Sequence, residues 1–172
     1  TTRSRRIAAP LADPLAQEIV NNVGVWVDRE VKPVASEFEH ADEFPEPLLK
    51  GMSNMGLFGI KIPEAYGGLD LSFECYAGVC MELARGWMSV ASIIARGNGL
   101  SAGRGMTDEQ RAVFLPRAAR GEFLGAAAMS EPNVGSDLGS IACRARRDGD
   151  DWVITGNKYW CTFADGADYI ML

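Results

Sequence analysis

The chain is 172 residues long, 47% hydrophobic, and carries a formal net charge of −6. That length and apolar content bury a real core, in one compact domain or one domain plus part of another, and exclude a disordered or fibrous chain. The acidic balance argues against a nucleic-acid partner, which would want a basic face.

Asp13 and Pro14 predict a helix start, a capping carboxylate followed by proline in the first turn. Leu15, Ile19, Val23, Val27 and Val31 recur every fourth residue, with Trp26, Val34 and Phe38 widening the stripe. That is an amphipathic helix with one buried face. Pro33 lies inside the pattern and should kink or split it. A short second helix runs from about Pro47 through Leu48, Leu49, Met52 and Met55 and ends at Gly56. Residues 60–71 hold Pro63 and the pair Gly67 and Gly68, and read as loop. Ser72 caps a third helix with Phe73, Tyr76, Cys80, Leu83 and Ala84 inward. Residues 90–100 form a fourth, nearly all-apolar and therefore buried. Thr107 and Gln110 make a capping box for a fifth, which carries Val113, Phe114 and Ala118 and closes at Gly121. Residues 1–122 thus read as an all-helical domain. Within it Gly97, Gly99 and Ala102 match the G-x-G-x-x-A form of a dinucleotide fingerprint. That pattern has meaning only between a strand and a helix of a parallel sheet. Its neighbours here are helical, so the glycines read as close helix contacts and a helix end.

From Phe123 the period changes, and residues 123–172 read as the start of a β-domain. Residues 123–129 are apolar and predict a strand buried on both faces. Cys143, Ala145 and Arg147 alternate with Arg144 and Arg146, and Asp148 with Gly149 signals a hairpin. Residues 152–155 pair back, Gly156 and Asn157 turn again, and residues 158–162 predict a further strand. On that strand Trp160 and Thr162 would share a face. Residues 169–172 begin another apolar strand, whose raw edge implies that something further completes the sheet, either more chain or a partner. The fold class is α+β: a helical bundle followed by the first antiparallel strands of a β-barrel-like domain, incomplete at its C-terminal side.

Two stretches in this second part carry candidate chemistry. Residues 126–137 read Ala-Ala-Ala-Met-Ser-Glu-Pro-Asn-Val-Gly-Ser-Asp. Ala126, Ala127 and Ala128 would let backbone pass close to a flat or bulky group. Pro132 forces Glu131 into an extended bend, and Gly135 permits angles that other residues avoid. Ser130 and Ser136 flank the bend with hydroxyls. The second stretch, residues 158–162, sets the indole of Trp160 beside the hydroxyl of Thr162, a pair able to cover a planar ring and bond its edge. Taken singly, these stretches also read as an ordinary turn and a core tryptophan. Together they are less ordinary.

Other chemistries have little to build on. Cys75, Cys80, Cys143 and Cys161 lack C-x-x-C spacing, so no metal site or redox pair is indicated and reduced thiols are expected. His40 is the sole histidine, beside acidic and exposed positions, which leaves no Ser-His pair or histidine cluster. No apolar run reaches membrane-spanning length, so no membrane partner is expected. The basic opening Thr-Thr-Arg-Ser-Arg-Arg reads as a solvated terminus. A cytoplasmic location is expected, with the mitochondrial matrix as the alternative if that opening is the remnant of a transit peptide.

Ala-Met-Ser-Glu-Pro-Asn-Val-Gly-Ser-Asp followed by Trp-Cys-Thr resembles the flavin-binding pair of segments in acyl-CoA dehydrogenases. The resemblance extends upstream to residues 55–59, 62–64, 66–69 and 107–110 and covers nearly the whole chain. It implies FAD as cofactor, an acyl-CoA as substrate, and α,β-dehydrogenation in which a glutamate takes the α-proton and the β-hydrogen leaves as hydride to flavin N5. It further implies an electron-transfer flavoprotein or similar acceptor and a homo-oligomer, a tetramer in form.

By the same resemblance, the backbone of Ala127, Ala128, Met129 and Ser130, with the Ser130 hydroxyl, binds the isoalloxazine pyrimidine edge. Trp160, Cys161 and Thr162 lie at the ring system, Thr162 near N5, and Ser136 meets the pantetheine arm. Three residues depart from the family pattern: Ser130 stands where threonine is commoner, Val134 where a small residue is usual, and Phe163 where a polar one is usual. No catalytic base is nominated, because the family's glutamate lies in a C-terminal domain beyond these residues. Glu131 reads as a structural carboxylate of the turn. Residues 1–172 alone are expected neither to hold FAD tightly nor to turn over. The alternatives are a flavin monooxygenase or acyl-CoA oxidase of the same fold, or a non-catalytic subunit in a mixed assembly.

Overall fold

The computed structural model describes residues 11–97, 103 and 105–172. The basic opening and residues 98–102 of the glycine pattern lie outside them. The chain divides into two compact units, one ending at Phe123 and the other spanning Leu124–Leu172.

The first unit is helical. Helix α1 (Pro14–Trp26) starts where Asp13 accepts the backbone N–H of Leu15 at 2.9 Å, with Pro14 in its first turn. Pro33 does not break the path. It lacks an N–H, and its ring crowds the carbonyl four residues back. The ladder answers by widening to a π-helical turn over Val27–Val31, where the N–H of Lys32 reaches the oxygen of Val27, and then continues as α2 (Lys32–Ala41). Val23, Val27 and Val31 are all buried by this arrangement. Leu15 is instead exposed and Ala16 takes the inward place. The four-residue spacing located the stripe correctly from Val23 onward but not in the first turn.

Helix α3 (Glu46–Asn54) buries Leu48 and Met52, and Gly56 behind it takes a φ of 71°. Residues 60–71 are irregular apart from a 3-10 turn at Glu64–Tyr66, yet Ile60 and Ile62 are fully buried. Helix α4 (Phe73–Gly86) is capped by the Ser72 hydroxyl, which accepts the N–H of Cys75 at 3.1 Å. Its inward face is Cys75, Val79 and Leu83, with Phe73 exposed and Tyr76, Cys80 and Ala84 half-buried. Helix α5 (Met88–Gly97) buries Val90, Ala91, Ile93 and Ile94. Helix α6 (Asp108–Ala119) begins with both bonds of the Thr107 and Gln110 capping box, and Gly121 beyond it has a φ of 74°. Leu115 and Ala119 are its buried residues, whereas Val113 points to solvent. Each fully buried aliphatic side chain of this core contributes about 1.5–3 kcal/mol of burial.

The second unit contains four short strands among the described residues: β1 (Gly125–Ala127), β2 (Arg144–Asp148), β3 (Asp151–Thr155) and β4 (Tyr169–Met171). Strands β2 and β3 form the expected antiparallel hairpin, with Asp148 opposite Asp151 and Gly149 in the turn at a φ of 64°. Strand β1 is shorter than its apolar run. It pairs with β4 in parallel, Gly125 opposite Tyr169 and Ala127 opposite Met171, because the intervening hairpin and loops bring the chain back in the same direction.

Residues 158–162 are not a strand. Trp160 sits at a φ of 57°, which breaks an extended run, and the N–H of Ala164 reaches the oxygen of Cys161 to close a turn over Thr162 and Phe163. The rule that residues two apart share a face therefore does not apply to Trp160 and Thr162.

Candidate functional site

The stretch after β1 is shaped by a few strong local bonds. The N–H of Ala128 prolongs the pairing with β4 by reaching the oxygen of Met171 at 2.8 Å. The chain then leaves the sheet, and Glu131 to Val134 closes a tight turn with Pro132 at its second position. In this turn the Glu131 N–H meets the Val134 oxygen at 2.9 Å, and the Val134 N–H meets the Glu131 oxygen at 3.1 Å. Pro132 suits that position because its φ is preset for the turn. Val134 is buried, while Gly135 and Ser136 lie in the open. Gly135 has no positive φ, and a Cβ there would meet nothing within 4 Å, so the angular freedom expected of it is not used.

The two candidate stretches come together. Tyr159 donates its backbone N–H to the oxygen of Ser130 at 2.9 Å. Lys158 places its Nζ 3.1 Å from the oxygen of Met129, and the Cys161 thiol lies 3.5 Å from the oxygen of Ala127. Residues 158–161 thus run alongside residues 127–131, with Trp160 between two of these ties. Trp160 is 87% exposed, so it is a surface residue of this unit rather than a core tryptophan. Ala128 is buried, Ala127 and Cys161 are half-buried, and Met129 and Thr162 are exposed. Ser136 forms no hydrogen bond with either segment among the described residues.

What remains unengaged is a set of donors. Among the described residues, the backbone N–H groups of Met129 and Ser130, the Ser130 and Thr162 hydroxyls and the Trp160 indole N–H have no protein partner. Carbonyl groups of the same backbone are largely taken up. A surface that offers N–H and O–H groups beside an exposed indole fits the acceptor-rich edge and flat face of a conjugated ring system.

Glu131 is the residue whose surroundings only the structure discloses. It is buried, its Oε2 accepts the N–H of Ala142 at 2.8 Å, and its Oε1 accepts that of Cys143 at 2.9 Å and the Lys158 Nζ at 3.0 Å. The Ala142 and Cys143 amides, with Lys158 adding its charge, hold this carboxyl below the usual glutamate range. Both oxygens are occupied and the ionised form is favoured, so Glu131 is a structural carboxylate and no free base. Lys158 passed unmarked in the sequence. Its only signal there was a cation two residues before Trp160.

The model of the acyl-CoA dehydrogenase N-terminal domain matches residues 14–122, and that of the acyl-CoA dehydrogenase middle domain matches residues 126–172. The chain belongs to the acyl-CoA dehydrogenase family. It is 43% identical over 143 residues to (2S)-methylsuccinyl-CoA dehydrogenase of Cereibacter sphaeroides, covering 81% of this chain and 26% of that protein. It is 36% identical over 167 residues to mitochondrial isovaleryl-CoA dehydrogenase of Solanum tuberosum, covering 94% and 40% respectively. A crystal structure of a glutaryl-CoA dehydrogenase from Mycobacterium smegmatis in complex with FADH2 superposes with a TM-score of 0.85 at 32% identity, covering 92% of this chain and 42% of that one. The chain therefore spans less than half the length of these acyl-CoA dehydrogenase relatives. No described helix is long and apolar enough to cross a membrane.

Proposed function

We propose that this chain is the N-terminal part of an FAD-dependent acyl-CoA dehydrogenase, and that residues 127–130 and 160–162 are its share of the flavin site. The observation that carries the reading is the bonding of Tyr159 to Ser130 and of Lys158 to Met129, which sets two segments side by side with their remaining donors free. A relative of similar fold is described with FADH2, which supports the same cofactor here.

In this reading the N–H groups of Met129 and Ser130 and the Ser130 hydroxyl orient the ring by its carbonyl and nitrogen acceptors. The Trp160 indole covers a face of the ring and keeps water from the reacting atoms. The Thr162 hydroxyl supplies a donor close to the indole, and Ser136 contributes to holding the substrate's pantetheine arm. Bound there, FAD would supply the redox chemistry, taking the β-hydrogen as hydride while a base removes the α-proton. Glu131 is not that base, since its oxygens are spent on Ala142, Cys143 and Lys158. The carboxylate is assigned to the protein outside residues 1–172, as are the electron acceptor, an electron-transfer flavoprotein or a similar protein, and the contacts that would make a homotetramer.

The test is the visible spectrum of the full-length protein, followed on anaerobic addition of a panel of acyl-CoA thioesters. Flavin bands that bleach with one thioester are the expected result. A colourless protein that does not take up added FAD, or a flavin reduced by no thioester, would refute the reading.

A further inference from the structure

Lys158 is the junction of three separate backbone segments of the second unit. Its Nζ reaches the oxygen of Met129 and Oε1 of Glu131, and the same carboxylate is gripped by the N–H groups of Ala142 and Cys143 just before β2. Both partners are shielded, with side-chain exposures of 12% for Lys158 and 5% for Glu131. A cation and a carboxylate so placed, each with further hydrogen bonds, hold their geometry better than a surface pair does.

The peptide plane converts this into direction. In a trans peptide the C=O and the following N–H point to opposite sides. With the Met129 oxygen drawn to Lys158, the N–H of Ser130 is turned away from it, and that N–H is one of the unpartnered donors. The next peptide is fixed in the same manner, its Ser130 oxygen on the Tyr159 N–H and its Glu131 N–H on Val134.

We propose that Lys158, backed by Glu131, is a positioning residue for flavin: it sets the orientation of the Met129–Ser130 peptide and so aims the Ser130 N–H. It touches no cofactor itself. This rests on the flavin reading above and adds to it a residue outside the binding segments, acting through their backbone.

The experiment compares full-length wild type with Lys158→Met, Lys158→Gln and Lys158→Arg. Flavin content after gel filtration, the visible circular dichroism of the bound flavin and the thermal midpoint of the apoprotein are measured for each. K158M is expected to weaken FAD binding by about tenfold or more and to change the visible dichroism, with K158R restoring both. K158Q keeps polarity, but its amide ends one atom short of the Lys158 Nζ, out of reach of the Met129 oxygen, and carries no charge for Glu131, so it is read in the same way should K158M fail to fold. Folded K158M or K158Q protein with wild-type flavin content and an unchanged dichroic spectrum overturns the proposal. So does a loss of apoprotein stability in these variants with the flavin spectrum untouched. If wild type itself binds no FAD, the flavin reading falls, a result distinct from either.

Discussion

The backbone N–H of Tyr159 lies 2.9 Å from the carbonyl oxygen of Ser130, and through that bond two stretches distant in sequence become neighbours. The flavin site proposed above follows from this adjacency. Trp160 follows Tyr159 directly in the chain, and the unpartnered N–H groups of Met129 and Ser130 belong to the segment that Tyr159 bonds.

The Ser130 hydroxyl has no partner among the described residues, so removing it costs the fold little. Ser130→Ala is expected to leave the thermal midpoint unchanged while weakening FAD binding by about 1 kcal/mol, roughly fivefold. Ser130→Thr keeps the hydroxyl and should retain the affinity. Titration of apoprotein with FAD, set beside the unfolding curves, separates the two effects. Equal affinity for the wild-type and alanine proteins would remove Ser130 from the site.

Trp160 combines an exposed indole with a left-handed backbone angle, a φ of 57°. Such an angle costs a residue with a side chain about 1–2 kcal/mol. Trp160→Gly relieves that strain, loses little burial and gives up some backbone entropy, so the apoprotein's stability should change by less than about 1 kcal/mol. Flavin emission in the loaded protein should rise, because an indole against the ring quenches it. Unchanged emission would mean that the indole does not cover the ring.

Two glycines are expected to respond in opposite directions. A Cβ at Gly68 would sit 1.9 Å from the carbonyl oxygen of Ile62, which is backbone and cannot swing aside. Gly68→Ala should destabilise by about 1–3 kcal/mol. Gly135 has open space and no positive φ, so Gly135→Ala should stabilise by about 0.4–1 kcal/mol through the unfolded chain. Denaturant unfolding of the two variants measures both signs.

Acid should remove specific supports. The Arg85 guanidinium, followed by the Lys32 ammonium, lowers the Asp28 carboxyl from its ordinary 3.8 to about 2. The folded state thus favours the ionised form: the stabilisation is complete above about pH 4 and is lost as pH falls through about 2. Asp28 is half-exposed, so the pair is worth only about 0.5–1 kcal/mol. The thermal midpoint of Asp28→Asn should lie below wild type near neutral pH, and the gap should close towards about pH 2. Glu131 is depressed in the same direction by the Ala142 and Cys143 amides, and its contribution should likewise vanish on acidification. A gap at Asp28 that stays constant with pH would show that its charge is not what matters.

Features that short-range chemistry decides are legible in the sequence. Asp13, Ser72 and the Thr107–Gln110 pair marked helix starts because a cap and its N–H lie within three residues of each other. Asp148 and Gly149 marked the hairpin for the same reason, and the residues around Ser130 and Trp160 carried the family's text unaltered by folding. Tertiary structure alone decided which residues of each stripe are covered. Leu15, Phe73 and Val113 are as apolar as Val23 and Leu83, yet burial depends on a neighbouring element arriving opposite them. It also decided that residues 158–162 follow the Ser130 segment as irregular chain, with Trp160 left-handed and Lys158 turned inward to Glu131. Bonds between residues so far apart in the chain leave no periodic trace, because each depends on where the intervening hairpin returns the backbone.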